Sequence, residues 1–336
     1  VSARVLIAFA VASLVIAAGM GCGEKSEKGS ADAERFDLAL DFYVNPDHAG
    51  IYAALDRGYF DEAGLDVRPQ VPSDPSAPIK QVAAGRVDLA ISYEPEVLLA
   101  RDQGLDVIAV AALVQKPLTS LISTGDAGIE AVPDLEGKTI ATAGIPYQDV
   151  FLDSILGQAD LRPADVSVVD VGLNLLPAVI SGRADAMLGG FRNIEGVDLA
   201  ERGEDPNVVP VDELGIPTYD ELVLVASRER LEEDPEEIRL FLAALERGTE
   251  AAVADPELAT DAVLEEGDAL DPRLTEAEVE ATLPLLRSPG KQDYGYMKPR
   301  EWQDFIGFMA DKGQISTRFS PAEVLTNEYL PGDIPD

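Results

Sequence analysis

The residues of this chain best suited to meet a small molecule stand in short turns behind apolar runs. Asp41, Phe42, Tyr43, Asn45 and His48 follow one run, Tyr93 and Glu94 a second, Gly144 and Tyr147 a third, and Phe191, Arg192, Asn193 and Glu195 a fourth, with Tyr219 further on. Glu94 and Glu195 can accept hydrogen bonds from an amino group or hold a ring nitrogen protonated. Each also stands where an acid in a first helical turn is favoured, so a capping role is open to both. Phe42, Tyr43, Tyr93, Tyr147, Phe191 and Tyr219 offer faces for stacking, or else serve as core. Asn45, followed by Pro46, is equally a turn former, and His48 can simply start a helix. Arg192 is the one obvious cation for an oxyanion. The single cysteine, Cys22, and the single histidine, His48, exclude a disulfide framework, a thiolate cluster and a multi-histidine metal site. No cofactor or catalytic residue is expected.

Those turns need a scaffold, and the remaining pattern supplies one. From Phe36 onward short apolar runs alternate with helix-like segments, the mark of a mostly parallel sheet covered by helices. Strands are expected over residues 36–42, 65–69, 87–92, 139–142 and 184–188, and helices over 49–57, stopped by Gly58, and 77–84. Residues 82–90 (Val-Ala-Ala-Gly-Arg-Val-Asp-Leu-Ala) are echoed by 179–187 (Val-Ile-Ser-Gly-Arg-Ala-Asp-Ala-Met), and each copy runs on to a glutamate, Glu94 or Glu195. The echo is either a chance likeness of two βαβ units or the trace of two similar lobes. Open α/β sheets bind ligands beyond the carboxyl ends of their strands, which is where the candidate turns lie. Beyond Asp234-Pro235-Glu236-Glu237, a strong helix start, the chain reads as almost all helix to Ala310.

Sixty-two acidic residues against 26 basic ones give a formal charge of −36, spread along the 336-residue chain. Nucleic acid is excluded as a partner, because phosphate contacts demand a positive surface. The charge reads as a solvated coat, with a field that disfavours anionic ligands as the other reading. At the N-terminus Arg4 precedes a 14-residue uncharged apolar run, residues 5–18, and small residues then lead to Cys22. That length suits a signal-peptide core and is short for a membrane span. The pattern resembles a bacterial lipoprotein leader, residues 1–21, with Cys22 as the acylated first residue of the mature chain; a plain secretory signal is the alternative. Residues 22–35 read as a flexible tether.

At the candidate turns the sequence resembles the substrate-binding proteins of ABC importers related to the fungal thiamine-pyrimidine synthase. The matching stretches are 40–50 (Leu-Asp-Phe-Tyr-Val-Asn-Pro-Asp-His-Ala-Gly), 92–100 (Ser-Tyr-Glu-Pro-Glu-Val-Leu-Leu-Ala) and 144–149 (Gly-Ile-Pro-Tyr-Gln-Asp). They continue with 189–196 (Gly-Gly-Phe-Arg-Asn-Ile-Glu-Gly) and 215–222 (Gly-Ile-Pro-Thr-Tyr-Asp-Glu-Leu). The resemblance covers nearly all of the chain from Leu38 onward. It implies a type II periplasmic-binding-protein fold, two doubly wound α/β lobes with a hinge and a central cleft. One lobe would be 36–123 plus 222–336, the other 124–221, with the hinge near 121–123 and 220–222.

The resemblance further implies an extracytoplasmic, membrane-anchored monomer that captures a flat nitrogen heterocycle, a thiamine pyrimidine precursor or riboflavin, for an ABC permease and its ATPase. Pyrimidine-binding relatives carry tryptophan where this chain has Phe42 and Arg192, which leaves the ligand open. Two rival readings use the same fold: a binder of sulfonate, nitrate or another small anion, and a synthase that consumes its own histidine. His48 stands in a motif like the one that carries the synthase's reactive histidine, but the iron-binding cysteine cluster of that enzyme has no counterpart here. Fold alone also leaves open a sensor or adhesin that transports nothing.

Overall fold

The computed structural model describes residues 33–267, 270–287 and 294–332, so the leader, Cys22 and most of the tether lie outside the described residues. Ten strands run in chain order: β1 Glu34–Ala39, β2 Leu65–Gln70, β3 Leu89–Ser92, β4 Val107–Val114, β5 Thr119–Ser123, β6 Thr139–Thr142, β7 Ser167–Asp170, β8 Ala186–Phe191, β9 Asn207–Pro210 and β10 Leu222–Ser227. They form two five-stranded sheets, ordered β2-β1-β3-β10-β4 and β7-β6-β8-β5-β9. In each sheet three parallel strands are followed by an antiparallel one that carries a further antiparallel neighbour.

The two lobes are therefore wound alike, and the repeated Gly-Arg-X-Asp shows how. Asp88 accepts a hydrogen bond from the Asp37 N–H at 2.7 Å while its own N–H donates to the Asp37 carbonyl at 2.9 Å. Asp185 repeats this with Thr139, at 2.7 Å and 2.8 Å. In both lobes the aspartate stitches the incoming chain to the first parallel strand before the ladder begins. The N–H it satisfies would otherwise lack a partner at the sheet's end.

The C-terminal block belongs with the first sheet. Asp234, Asp255 and Asp271 each precede a proline and accept a hydrogen bond from a first-turn N–H of the helices Pro235–Ala254, Pro256–Glu266 and Pro272–Thr282. Proline at the first helical position costs no hydrogen bond there, so Asp-Pro starts a helix sharply. Phe241 of the first of these helices stacks between Phe36 of β1 and Phe60, with centroids 4.8 and 5.1 Å away. The outer strand β4 is buried along its whole length. Residues 324–326 cover it by exchanging hydrogen bonds with Ala109, which removes an open edge.

The chain passes from sheet to sheet twice, through residues 115–118 and 211–221. Pro117, which has no N–H to give a ladder, ends the first lobe earlier than expected. Thr119–Ser123, assigned on sequence to the first lobe and partly to the hinge, is instead a strand of the second sheet paired with β8 and β9. The second crossing does include Asp220 and Glu221. Glu221 binds the two crossings together: its carboxylate accepts from the Leu118 and Thr119 N–H groups, the Thr119 hydroxyl and the Tyr219 hydroxyl, at 2.7 to 2.9 Å.

Replacing Asp185 by alanine leaves the Thr139 N–H without its acceptor. The expected cost is about 1–2 kcal/mol of unfolding free energy, read from urea denaturation, with the m-value unchanged.

Candidate functional site

One recess collects residues from the carboxyl ends of both sheets. Asp41, Phe42 and Asn45 come from beyond β1 and Tyr93 from beyond β3; Ala143, Ile145, Tyr147 and Gln148 come from beyond β6; Gly189, Phe191, Ile194 and Glu195 come from the end of β8 and beyond; Pro75 and Leu175 complete the wall. Counted out to its mouth it encloses about 420 Å³, but the room for a water-sized sphere is only about 20 Å³. The aromatic rings are in contact with one another: Tyr93 lies 5.7 Å from Tyr147 and 6.5 Å from Phe191, centroid to centroid. This is a shut cleft whose walls meet, and a planar ring enters only when the lobes or these rings part.

In the first lobe Asp41 organises its surroundings. Buried, it accepts from the Tyr93 hydroxyl on Oδ2 and from His48 Nε2 on Oδ1, both at 2.9 Å. His48 Nδ1 faces the Asn45 N–H at 3.4 Å, so that nitrogen is the acceptor and the proton sits on Nε2. His48 is wholly buried and does not line the recess. The Asn45 side chain caps the short turn Pro46–His48 by accepting from the Asp47 N–H, and gives its amide to the Tyr43 carbonyl.

In the second lobe Glu195 opens the helix Glu195–Glu201 and reaches back to accept the Phe191 N–H on Oε2 at 2.7 Å, so it ties the end of β8 to the helix and is also a wall residue. Burial pushes its carboxyl up to about 7. Gly144 does not reach the recess; its φ of +74° and the Asp170 carboxylate, 2.4 Å from where a Cβ would be, make it a turn glycine.

Several candidates serve elsewhere. Tyr43 points outward and is half exposed. Glu94 starts the helix Glu94–Asp102 and accepts the Asp220 N–H at 2.8 Å, while Trp302 Nε1 donates to Asp220 Oδ2 at 2.7 Å, so this group braces the second crossing. Tyr219 is spent on Glu221 and packs between Phe151 and Phe305. Arg192 gives its backbone N–H to Leu118 at the first crossing and does not line the recess. Asn193 also stays out of it and bridges the lobes, donating to Asp47 Oδ1 at 2.9 Å and to Thr282 Oγ1 at 2.8 Å.

Around that bridge lie Asp47, Glu195, Asp198 and Glu278. Burial holds the Asp47 carboxyl well above the carboxylate range, and its Oδ2 has no protein partner. Burial, and then the charges of Asp198, Glu195 and Asp47, raise Glu278 to about 8. The shut form thus retains protons that exposed carboxyls would release.

The sequence reading missed Pro75, Ala143, Ile145, Gln148, Leu175, Gly189 and Ile194. Most are apolar and carry no chemical signal. Gln148 and Gly189 lay within the turns singled out, but single attention went to aromatics and charges. Among the described residues, no group of three metal-ligating side chains gathers, and no helix is long and apolar enough to cross a membrane.

The family model described as NMT1/THI5 like matches residues 45–259. The formylaminopyrimidine-binding protein of Halalkalibacterium halodurans is 32% identical over 291 residues, which cover 86% of this chain and 88% of that protein. A 4-amino-5-hydroxymethyl-2-methylpyrimidine phosphate synthase of Aspergillus parasiticus is 26% identical over 314 residues, covering 88% and 87%. Among solved structures, the alkanesulfonate-binding protein SsuA of Xanthomonas axonopodis pv. citri superposes with a TM-score of 0.70 at 14% identity, over 88% of this chain and 99% of that one. The fold is thus that of the two-lobed periplasmic binding proteins, type II, as the resemblance implies.

A carboxyl whose pKa is raised on folding adds stability below its ordinary range and loses it as pH climbs through the raised value. With Glu195 near 7, Glu278 near 8 and Asp47 raised, these carboxyls are expected to cost the chain several kcal/mol, on the order of the shifts themselves, as pH climbs from about 5 to about 8. Thermal melts across that window check this, and Glu278→Gln should flatten the slope.

Proposed function

The chain belongs to the NMT1/THI5-like family, and from that premise we propose that it is an extracytoplasmic solute-binding protein that captures a flat nitrogen heterocycle of the aminopyrimidine kind. The observation that carries this reading is the make-up of the recess. Its walls bring aromatic faces from both lobes together with the carboxylates of Asp41 and Glu195, and no Lys, Arg or His is among the residues that line it. Such a wall stacks a ring and accepts from an amino group at its edge. Two carboxyls and no cationic side chain make it a poor match for an anion, although the first turns of the helices Pro146–Gly157 and Glu195–Glu201 stand at the wall. Arg192, on which the sulfonate reading depended, stands outside.

Ligand would enter while the lobes are apart and be sealed in as they close on the crossings 115–118 and 211–221. Closure is helped by the Asn193 bridge and by contact among Tyr93, Tyr147 and Phe191. The shut form would then present a joined surface of both lobes to an ABC permease and its ATPase, with Cys22 as a lipid anchor to the membrane.

We read the protein as a binder and not a synthase. Its one cysteine cannot make a cluster, and the imidazole of His48 is buried and engaged through both nitrogens. Iron-dependent formation of a pyrimidine by the purified protein would overturn this.

Calorimetric titration with 4-amino-2-methylpyrimidine, riboflavin and taurine tests the ligand class: the aminopyrimidine is expected to bind, and binding of taurine alone would sink the proposal. Glu195→Ala is expected to weaken the aminopyrimidine by about 1–3 kcal/mol, because a buried polar edge loses its acceptor. Unchanged affinity would confine Glu195 to its tie between β8 and the helix.

A further inference from the structure

We propose that Gln148 reads a ring nitrogen of the ligand, and that Gly189 is kept bare so that it can do so; this rests on the heterocycle reading above. Gln148 lies in the first turn of the helix Pro146–Gly157 and is almost wholly buried. Strand β6 ends at Thr142, so the Ala143 N–H has left the ladder and needs an acceptor. Gln148 Oε1 supplies it at 2.9 Å. An N–H can only donate, so this bond fixes which end of the amide is oxygen and turns the NH₂ the other way.

On that side stands Gly189. A Cβ there would lie 2.3 Å from Gln148 Nε2, and the backbone φ of +116° is one that L side chains rarely adopt. The amide nitrogen therefore rests against bare backbone, at a place where both residues form the wall.

The other polar groups of the wall are already committed. Asp41 accepts from His48 and Tyr93, and the Tyr93 hydroxyl is spent on Asp41. Asn45 is engaged at both ends of its amide. Glu195 uses Oε2 on the Phe191 N–H and presents its carboxyl at the wall. The Gln148 amide NH₂ stands near the Tyr147 hydroxyl at the wall, where it can donate to a ligand. The wall thus offers one amide donor and one carboxylate acceptor between aromatic faces. That pair matches a ring with a nitrogen acceptor next to an exocyclic amino group, the N–C–NH₂ edge of an aminopyrimidine, better than a carbocyclic amine or a bare amide.

The test compares 4-amino-2-methylpyrimidine with its two pyridine counterparts, 4-amino-2-methylpyridine and 2-amino-6-methylpyridine, each lacking one ring nitrogen. Affinities are measured by calorimetry on the wild-type protein, Gln148→Met and Gln148→Glu. The wild type is expected to prefer the pyrimidine over one of the pyridines by roughly tenfold, and both variants to lose that preference. Because each variant is scored by a ratio of affinities, differences in probe basicity cancel in the uncharged Gln148→Met, and a general loss of packing lowers all affinities without moving the ratio. Gln148→Glu keeps the acceptor for Ala143 and replaces the amide donor by a carboxyl, whose charge is controlled by repeating the titrations at a pH where all three probes are neutral. An unchanged ratio in both variants overturns the role of Gln148 while the heterocycle reading stands. Failure of the wild type to bind any of the three overturns both.

Discussion

The chain joins its two lobes through two crossings, and the Glu221 carboxylate holds them side by side. Four donors converge on it, two of them backbone N–H groups at the start of β5. Burial pushes this carboxyl up to about 7 against the pull of those donors, so the contact is polar, enclosed and demanding in geometry. A buried acid left without partners is costly, which forces Leu118, Thr119 and Tyr219 into register with it. From that register follow the placement of β5 beside β8 and, through Tyr219, the ring contacts that reach Phe151, Tyr147 and Tyr93 at the cleft.

The architecture was legible because it depends on features that sequence writes plainly. Alternation of apolar runs with helix-like segments, glycines at helix ends and Asp-Pro starts are local, and each is enforced by backbone hydrogen bonding. The echo around Arg86 and Arg183 pointed to a real repetition, since Asp88 and Asp185 make the same pair of bonds in their own lobes. Gln115-Lys116-Pro117 breaks the apolar pattern between β4 and β5, and the second sheet takes the chain from Thr119 onward.

The recess was only half legible. Asp41, Phe42, Asn45, Tyr93, Tyr147, Phe191 and Glu195 line it, as expected of turns beyond strand ends. Glu94 and Asn193, polar residues of the same turns that stand elsewhere, have partners from distant parts of the chain. Asn193 meets Thr282, and Glu94 meets the backbone of Asp220. Long-range hydrogen bonds of this kind leave no spacing in the sequence by which to find them. Gln148 was passed over for a different reason: its meaning depends on a bare Gly189 in a neighbouring strand.

The route of the chain through the sheets also constrains how the molecule is made. The second sheet uses only residues between Thr119 and Pro210, so its ladder can close as one continuous stretch emerges. The first sheet cannot, because β10 lies between β3 and β4 and comes only after the whole second lobe. Until it arrives, β3 and β4 expose unpaired backbone, a state prone to wrong pairings. A chain with this threading completes its inserted lobe first and its outer lobe last.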